Sequence, residues 1–241
     1  KKNWKNILYA ILNALFLFVL LTTNTISCII GLVFVLGIIL VYCLKNKYYK
    51  KLIFIILIAI CMTFIAVKFG KTKVISDTAI AGKEATEIVK GNTNDEFGTR
   101  RIYIWKETIK IVPEHIWHGV GIDCFHKAFN GDSLKLKDGN YSVFYDKAHN
   151  EYLQLLVTQG IFAFASYMFL YGYTIFVGLK NGFKNKQIYL VLPVVGYLVQ
   201  AFFSISVIEV APIFYIALGL CCTYEKNENC KIKKDGEPKN G

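Results

Sequence analysis

Lys147-Ala148-His149-Asn150-Glu151-Tyr152-Leu153-Gln154-Leu155-Leu156, continuing through Gln159-Gly160-Ile161, is the stretch on which the reading of this chain turns. A polar segment ends there and a long apolar one begins. The junction places a titratable imidazole at the edge of an apolar helix, beside the polar loop rather than inside hydrocarbon. A histidine in that position can move protons, and it can act on a lipid-linked substrate lying in the interface.

Working outward, the chain is apolar far beyond the soluble norm. Its mean hydropathy is +0.41 and 54% of its residues are hydrophobic. Apolar runs fall near residues 7–21, 28–43, 52–67, 152–178, 188–203 and 211–222, each bounded by polar or Lys-rich stretches. A helix needs about 20 apolar residues to cross a bilayer. The second and third runs reach that length once their flanking Tyr and Lys residues serve as interface anchors. The 152–178 run is longer than required, so it should tilt or start within the interface. The expectation is an all-α polytopic integral membrane protein. It has about six transmembrane helices and one large, mostly helical extracytoplasmic loop. The expected division is 1–67 for transmembrane helices one to three and 68–150 for the loop. Residues 151–222 form helices four to six, and 223–241 a cytoplasmic tail.

The net charge of +11 supports a topology rather than a nucleic-acid partner. Lys1, Lys2 and Lys5 precede the first run. Lys45, Lys47, Lys50 and Lys51 separate the second from the third, and Lys180, Lys184 and Lys186 the fourth from the fifth. Five more lysines follow Cys222. With six spans all four blocks share one side, which the positive-inside rule makes cytoplasmic, together with both ends of the chain. The 68–150 loop is nearly balanced, with thirteen Lys/Arg against eleven Asp/Glu. No basic stripe interleaved with aromatics points to nucleic acid. Only Cys124 of the seven cysteines lies in that loop, so it holds no internal disulfide. The chain opens on Lys without a signal-peptide cleavage pattern, which suggests the C-terminal part of a larger polytopic protein.

Within the loop, residues 77–90 suit a helix, and Gly91-Asn92-Thr93-Asn94-Asp95 a turn. A second helix is expected from Thr99, as N-cap, to about Val112, with Pro113 closing it. Arg101, Trp105, Ile109 and Val112 share one face of it, and the three apolar members read as a packing face. Gly119-Val120-Gly121 marks a tight bend or a close backbone approach. His115, His118, His126 and Asp123 are the only residues near metal-ligand spacing, and they lack a helix-borne zinc pattern. No phosphate-binding glycine loop, dinucleotide fingerprint or nucleophile elbow occurs, so no cofactor and no metal is expected.

Two of these segments together resemble the O-antigen ligase and polymerase family. The first is Arg101-Ile102-Tyr103-Ile104-Trp105 with Pro113, Gly119-Val120-Gly121 and Phe125. The second is His149-Asn150-Glu151-Tyr152-Leu153-Gln154-Leu155-Leu156 with Gln159-Gly160-Ile161. The ending from Phe202-Phe203-Ser204 to Ala211-Pro212-Ile213-Phe214 and Leu218-Gly219-Leu220 is similar too. The resemblance spans roughly residues 20–222. It implies a membrane enzyme whose partners are a polyprenyl-diphosphate-linked glycan donor, a glycan, lipid or protein acceptor, and the bilayer. It also implies helices preceding this chain. Two departures stand out: Cys28, after Thr25-Ile26-Ser27, occupies the place of a common arginine, and Ile116 that of a common proline.

The resemblance points to His149 and Arg101 as functional. Transfer from a polyprenyl diphosphate needs a base for the acceptor hydroxyl and a cation for the departing diphosphate. A neutral imidazole suits the first, and a helix N-terminus favours that neutral form. A guanidinium fork suits the second. Arg100, Asn150, Trp105, Gly119 and Gly121 are the accompanying substrate-binding candidates. Blander roles stand beside these. His149 can be an interfacial residue bonded to a carbonyl, and Asn150 a helix N-cap. Arg101 can stack on Trp105, Arg100 can be solvated, and Glu209 can be a solvated turn residue. Two other classes remain open: a small-solute or anion transporter, and a non-catalytic membrane protein with a binding ectodomain. A transporter should carry polar groups near mid-span or broken helices in repeated positions. The run centres here are almost purely apolar, which favours the enzyme.

Overall fold

The computed structural model describes residues 3–70, 72–129, 145–185 and 187–234. The expected helix count and the fate of the 152–178 run can both be read from it. Among the described residues all regular structure is helical: α1 (Asn3–Thr22), α2 (Ile26–Lys45), α3 (Tyr49–Phe69), α4 (Val74–Val89), α5 (Arg101–His115), α6 (Phe125–Ala128), α7 (Glu151–Asn185), a 3-10 turn (Ile188–Leu190), α8 (Leu192–Ala201) and α9 (Ala211–Lys234). Three of these, α2, α3 and α7, are long and apolar enough to cross a membrane. The other three apolar runs form shorter apolar helices, Ile7–Thr22, Ile188–Ala201 and Ala211–Cys222. So the six apolar runs do become helices, and among the described residues three of them are both long and apolar enough to cross a membrane. The fifth is cut short by a 3-10 turn and by Pro193, which lacks an N–H and so suits only a first helical turn.

The chain divides into two compact units, Lys1–Lys106 and Glu107–Gly241. In the first unit, α1, α2 and α3 pack together and α4 lies against α2. Most of the α3 surface is apolar and exposed: Ile60 is 62% and Phe64 65% accessible. A lipid environment makes such exposure stable where water would not. The buried part is small and sits at one end, where Leu21, Ala66 and Val74 meet Leu17, Phe18, Ile29 and Met62. A polar knot closes that end. Asn24, left-handed at φ 54°, accepts the Lys73 N–H at 2.7 Å through Oδ1. The Thr72 hydroxyl lies 2.7 Å from the Leu21 carbonyl and 2.8 Å from Asn24 Oδ1. At the other end of α2, Lys47 takes a left-handed conformation and the Tyr48 N–H reaches back to the Cys43 carbonyl at 2.8 Å. That six-to-one bond satisfies an orphan carbonyl of the helix and turns the chain into α3.

The second unit gathers α7, the 3-10 turn, α8 and α9. Gly178 and Gly182 of α7 let Val191 and Ile188 approach so closely that an added Cβ would lie 2.8 Å and 2.9 Å from them. Tyr197 of α8 stacks on Phe214 of α9 at 4.2 Å between ring centroids. The most consequential departure from expectation is in α7. Gly160 has φ 80° and ψ 178°, so the 35-residue element is two helices, 151–159 and 161–185, meeting at a break. The longer piece is about 37 Å at 1.5 Å per residue, enough for a hydrocarbon core of about 30 Å. The long run is thus divided by a break at Gly160.

Three smaller expectations change. The α4 helix matches its expected range closely, but α5 starts at Arg101, and Thr99 is not a regular N-cap because it is left-handed at φ 57°. Pro113 does not close α5, which runs two residues further to His115. A proline near a helix end forfeits one backbone bond and can be accommodated in the final turn. The packing face of α5 is Ile104 and Thr108, both almost fully buried, whereas Ile109 is 57% exposed. In a protein of this composition apolar character does not mark the inward face.

Candidate functional site

His149 stands one residue before α7 with φ 51°, a left-handed conformation that is uncommon for a residue bearing a Cβ. It is half-buried, and both neighbours are buried: Ala148 at 0% and Asn150 at 3% exposure. Side chains further along the helix hold the backbone on either side. Asn150 Oδ1 accepts the N–H groups of Tyr152 at 3.0 Å and Leu153 at 3.1 Å, the expected N-cap. Gln154 Oε1 accepts the Ala148 N–H at 2.8 Å. Upstream of the junction, Phe125 stacks on Phe129, and Phe129 lies edge-on to Tyr145.

The break in α7 is completed by residues 116–121. The Val120 and Gly121 N–H groups donate to the carbonyls of Val157 and Thr158, each at 2.9 Å, and the Ile161 N–H donates to the Ile116 carbonyl at 2.7 Å. These groups would pair inside an unbroken helix; here the loop supplies their partners. The fit needs glycine on both sides. A Cβ on Gly119, at φ 68°, would lie 2.3 Å from the Thr158 carbonyl, and one on Gly160 2.5 Å from the Trp117 oxygen. Gly119 and Gly121, expected near substrate, thus have their backbone engaged with α7. A lone glycine in an apolar run gives no sequence signal for such a break, but its pairing with an upstream Gly-x-Gly could have raised it.

Arg101, in the first unit, is the first residue of α5. It follows three consecutive left-handed residues, Gly98, Thr99 and Arg100, with φ 61°, 57° and 70°. Its Nη1 donates to the Gly98 carbonyl at 3.1 Å and to Thr99 Oγ1 at 3.2 Å. Its Nε is buried and has no hydrogen-bond partner among the described residues. Burial pushes the guanidinium below its ordinary value, and it remains a cation at neutral pH. Arg100 and Trp105 are half-buried, so Arg100 is less open than a solvated residue should be. The turn before α5 is tied to α4 by Glu84, whose Oε2 accepts the Gly98 N–H at 3.0 Å, and to α5 by the Lys106–Asp95 ion pair at 2.7 Å. Glu209 is exposed in the turn before α9. Cys28 lies in the first turn of α2, beside a buried Ser27. Among the described residues no group of three or more His, Cys, Asp or Glu is arranged to hold a metal ion.

The first unit also holds an apolar groove of about 1110 Å³ between α1, α2, α3 and α4, with Tyr9, Phe16, Leu36, Phe54, Ile58 and Ile75 among its walls.

Helices of spanning length, lipid-compatible surfaces and a strained histidine at the start of a span define a helical membrane protein with its polar chemistry at a helix–loop junction. The model of the O-antigen ligase family matches residues 11–168, more than half of the chain, and the protein belongs to that family. The matched range contains Arg101, the Gly119–Gly121 bend and the 147–161 junction, and ends before α8 and α9. Family membership carries glycan transfer by a membrane enzyme, with glycan and lipid-linked substrates, as the general activity. No curated protein and no solved structure matches the chain.

Proposed function

We propose that this protein transfers an oligo- or polysaccharide from a polyprenyl-diphosphate donor to an acceptor hydroxyl at the outer face of the cytoplasmic membrane. The acceptor oxygen attacks the anomeric carbon, and its proton passes to the imidazole of His149. The bond from that carbon to the diphosphate oxygen breaks from the opposite face, and the polyprenyl diphosphate departs with the electron pair. One displacement inverts the anomeric configuration and calls for no metal. Arg101 carries the departing negative charge, with Arg100 and Trp105 beside it in sequence. Asn150, Gly119 and Gly121 shape the site through the backbone. The six apolar helices all cross the bilayer in this reading, with 68–150 outside and both ends of the chain inside. The groove of the first unit takes the polyprenyl tail.

The observation that carries this reading is the strain at the two marked positions. His149 is itself left-handed, and Arg101 follows two left-handed residues with side chains. Such conformations cost up to about 1–3 kcal/mol each, persist where the surrounding structure holds them, and cluster at functional sites. The buried Arg101 Nε has no partner among the described residues, which supports a donor role toward a phosphate oxygen. The α7 break is the one feature that a transporter would share. Its Val157 and Thr158 carbonyls and Ile161 amide are bonded to residues 116–121, so they are not left to bind a solute.

The test is glycan transfer in membranes carrying the complete protein, with insertion verified for each variant. His149→Ala should lower the rate by about a hundredfold or more, the range of a general base. Arg101→Lys keeps the charge but loses the fork, and should weaken donor use by about tenfold. Normal transfer by both well-inserted variants would remove the proposal.

A further inference from the structure

Glu151 follows the His149-Asn150 pair directly, and the chemistry above gives it no task. A carboxylate at the first position of a helix is ordinarily a partner of the helix dipole. Here its bond goes elsewhere. Glu151 Oε2 accepts the backbone N–H of Ser206, fifty-five residues away in the irregular turn between α8 and α9. Two further side chains bind the same turn and the end of α8. The Tyr152 hydroxyl donates to the Leu198 carbonyl at 2.7 Å, and the Tyr197 hydroxyl donates to Ser206 Oγ at 3.0 Å. The Tyr152 ring also faces Phe202, at 6.2 Å between centroids.

These bonds have a common geometry. Asn150, Glu151 and Gln154 each use a side-chain oxygen to accept a backbone N–H, respectively within the first turn, in the α8–α9 turn and at Ala148. Two of them brace the chain around His149, and the third brings a separate segment up to it. The Phe202, Phe203 and Ser204 N–H groups donate back to the end of α8, but among the described residues no backbone carbonyl accepts the Ser206 N–H, which goes to Glu151 instead. The turn's outward residues, Val207 at 43% and Ile208 at 88%, are exposed, so it presents an apolar edge next to a helix start bearing an imidazole.

We propose that Glu151 is a positioning residue of the transfer site: its carboxylate clamps the 202–207 turn against the start of α7, making that turn a wall of the acceptor site beside His149. This rests on the reading of His149 as the base. The clamp requires an acceptor oxygen rather than a charge. Glu151→Gln retains such an oxygen in nearly the same shape, and Glu151→Ala does not.

The experiment uses the complete protein in membranes, with two readouts: hydrogen exchange of the peptide covering 202–210, and the rate of glycan transfer from the endogenous donor pool. His149→Ala runs beside the Glu151 variants. Glu151→Ala should speed exchange in that peptide by about tenfold, the factor expected when a hydrogen-bond acceptor is removed and its donor left unsatisfied, and should lower transfer by a similar factor. Glu151→Gln should return both readouts close to wild type. Unaltered exchange in Glu151→Ala would overturn the clamp. Faster exchange with undiminished transfer, while His149→Ala is inactive, would overturn the positioning role. Loss of transfer in Glu151→Gln with exchange still slow would show the charge acting directly, and would equally overturn it. If His149→Ala itself transfers normally, the underlying reading fails and this proposal falls with it, a result distinct from the other three.

Discussion

The interlock between residues 116–121 and the α7 break can be tested by adding a single methyl group. Gly160 has φ 80° and ψ 178°, a region open essentially to glycine alone. An alanine there incurs backbone strain of about 1–3 kcal/mol. Its Cβ would also lie 2.5 Å from the Trp117 oxygen and 3.0 Å from the His118 nitrogen, both backbone atoms that cannot swing aside. Relief requires 116–121 to withdraw, which strips partners from Val157, Thr158 and Ile161. Three backbone bonds at about 1 kcal/mol each bring the expected loss to about 4–6 kcal/mol. Gly119→Ala should lose a comparable amount by the same route, its Cβ facing the Thr158 carbonyl at 2.3 Å. The double variant should lose much less than the sum, because both changes break one interface. Gly172→Ala is the control. It lies in the same helix with nothing within 4 Å of its Cβ, and should be neutral or stabilising by up to about 1 kcal/mol. Thermal unfolding in detergent, followed by tryptophan fluorescence, reads all four proteins; the Trp117 ring lies beside Phe162, just past the break, at 6.0 Å between centroids. If Gly160→Ala unfolds within about 0.5 kcal/mol of Gly172→Ala, α7 is not broken as described and the reasoning fails.

Asn150→Ala should cost about 1 kcal/mol, and Asn150→Asp only a few tenths, since an aspartate oxygen still caps Tyr152 and Leu153; the same thermal assay separates them. A pH effect is expected at the end of α4. Hydrogen bonds from Asn92 and then Lys90 hold the Glu87 carboxyl below its ordinary value. A depressed folded-state value means that the contribution is present above the unfolded-state value and lost as pH falls through the folded one. Amide exchange at residues 86–92 should therefore quicken on acidification below about pH 4.5, and Glu87→Gln should remove that step. A pH-independent difference between the two proteins would contradict the assignment.

Some of this architecture is visible in the residues alone. Asn150 before an apolar run reads as a helix cap and is one, because capping depends only on local geometry. The extent of α4 is legible for the same reason, through its polar flanks and Gly91. The break at Gly160 is not, since the identical local sequence would continue as helix without 116–121 to accept and donate in its place. The α5 face went astray for a different cause. Water-based reasoning buries Ile109, but in a lipid-adapted protein Ile104 and Thr108 are inside and the larger apolar residues are free to face outward. For the candidate site, the resemblance points to His149 and Arg101. The left-handed backbone of His149, and of residues 98–100 before Arg101, was not legible, and neither was the bond from Glu151 to the turn between α8 and α9.

Gly119-Val120-Gly121 looks like an ordinary exposed bend, the sort of place where a reporter or epitope is spliced in to map which side of a membrane a loop occupies. In this chain, that bend is the missing rung of α7. During synthesis, 116–121 emerges before 157–161, so the membrane helix cannot complete its own backbone pairing until an earlier stretch has come back to meet it. A tag inserted there would report on a helix left unfinished rather than on a topology, and mapping experiments are better placed at residues 91–95, where Gly91 already ends α4 and the chain lies open.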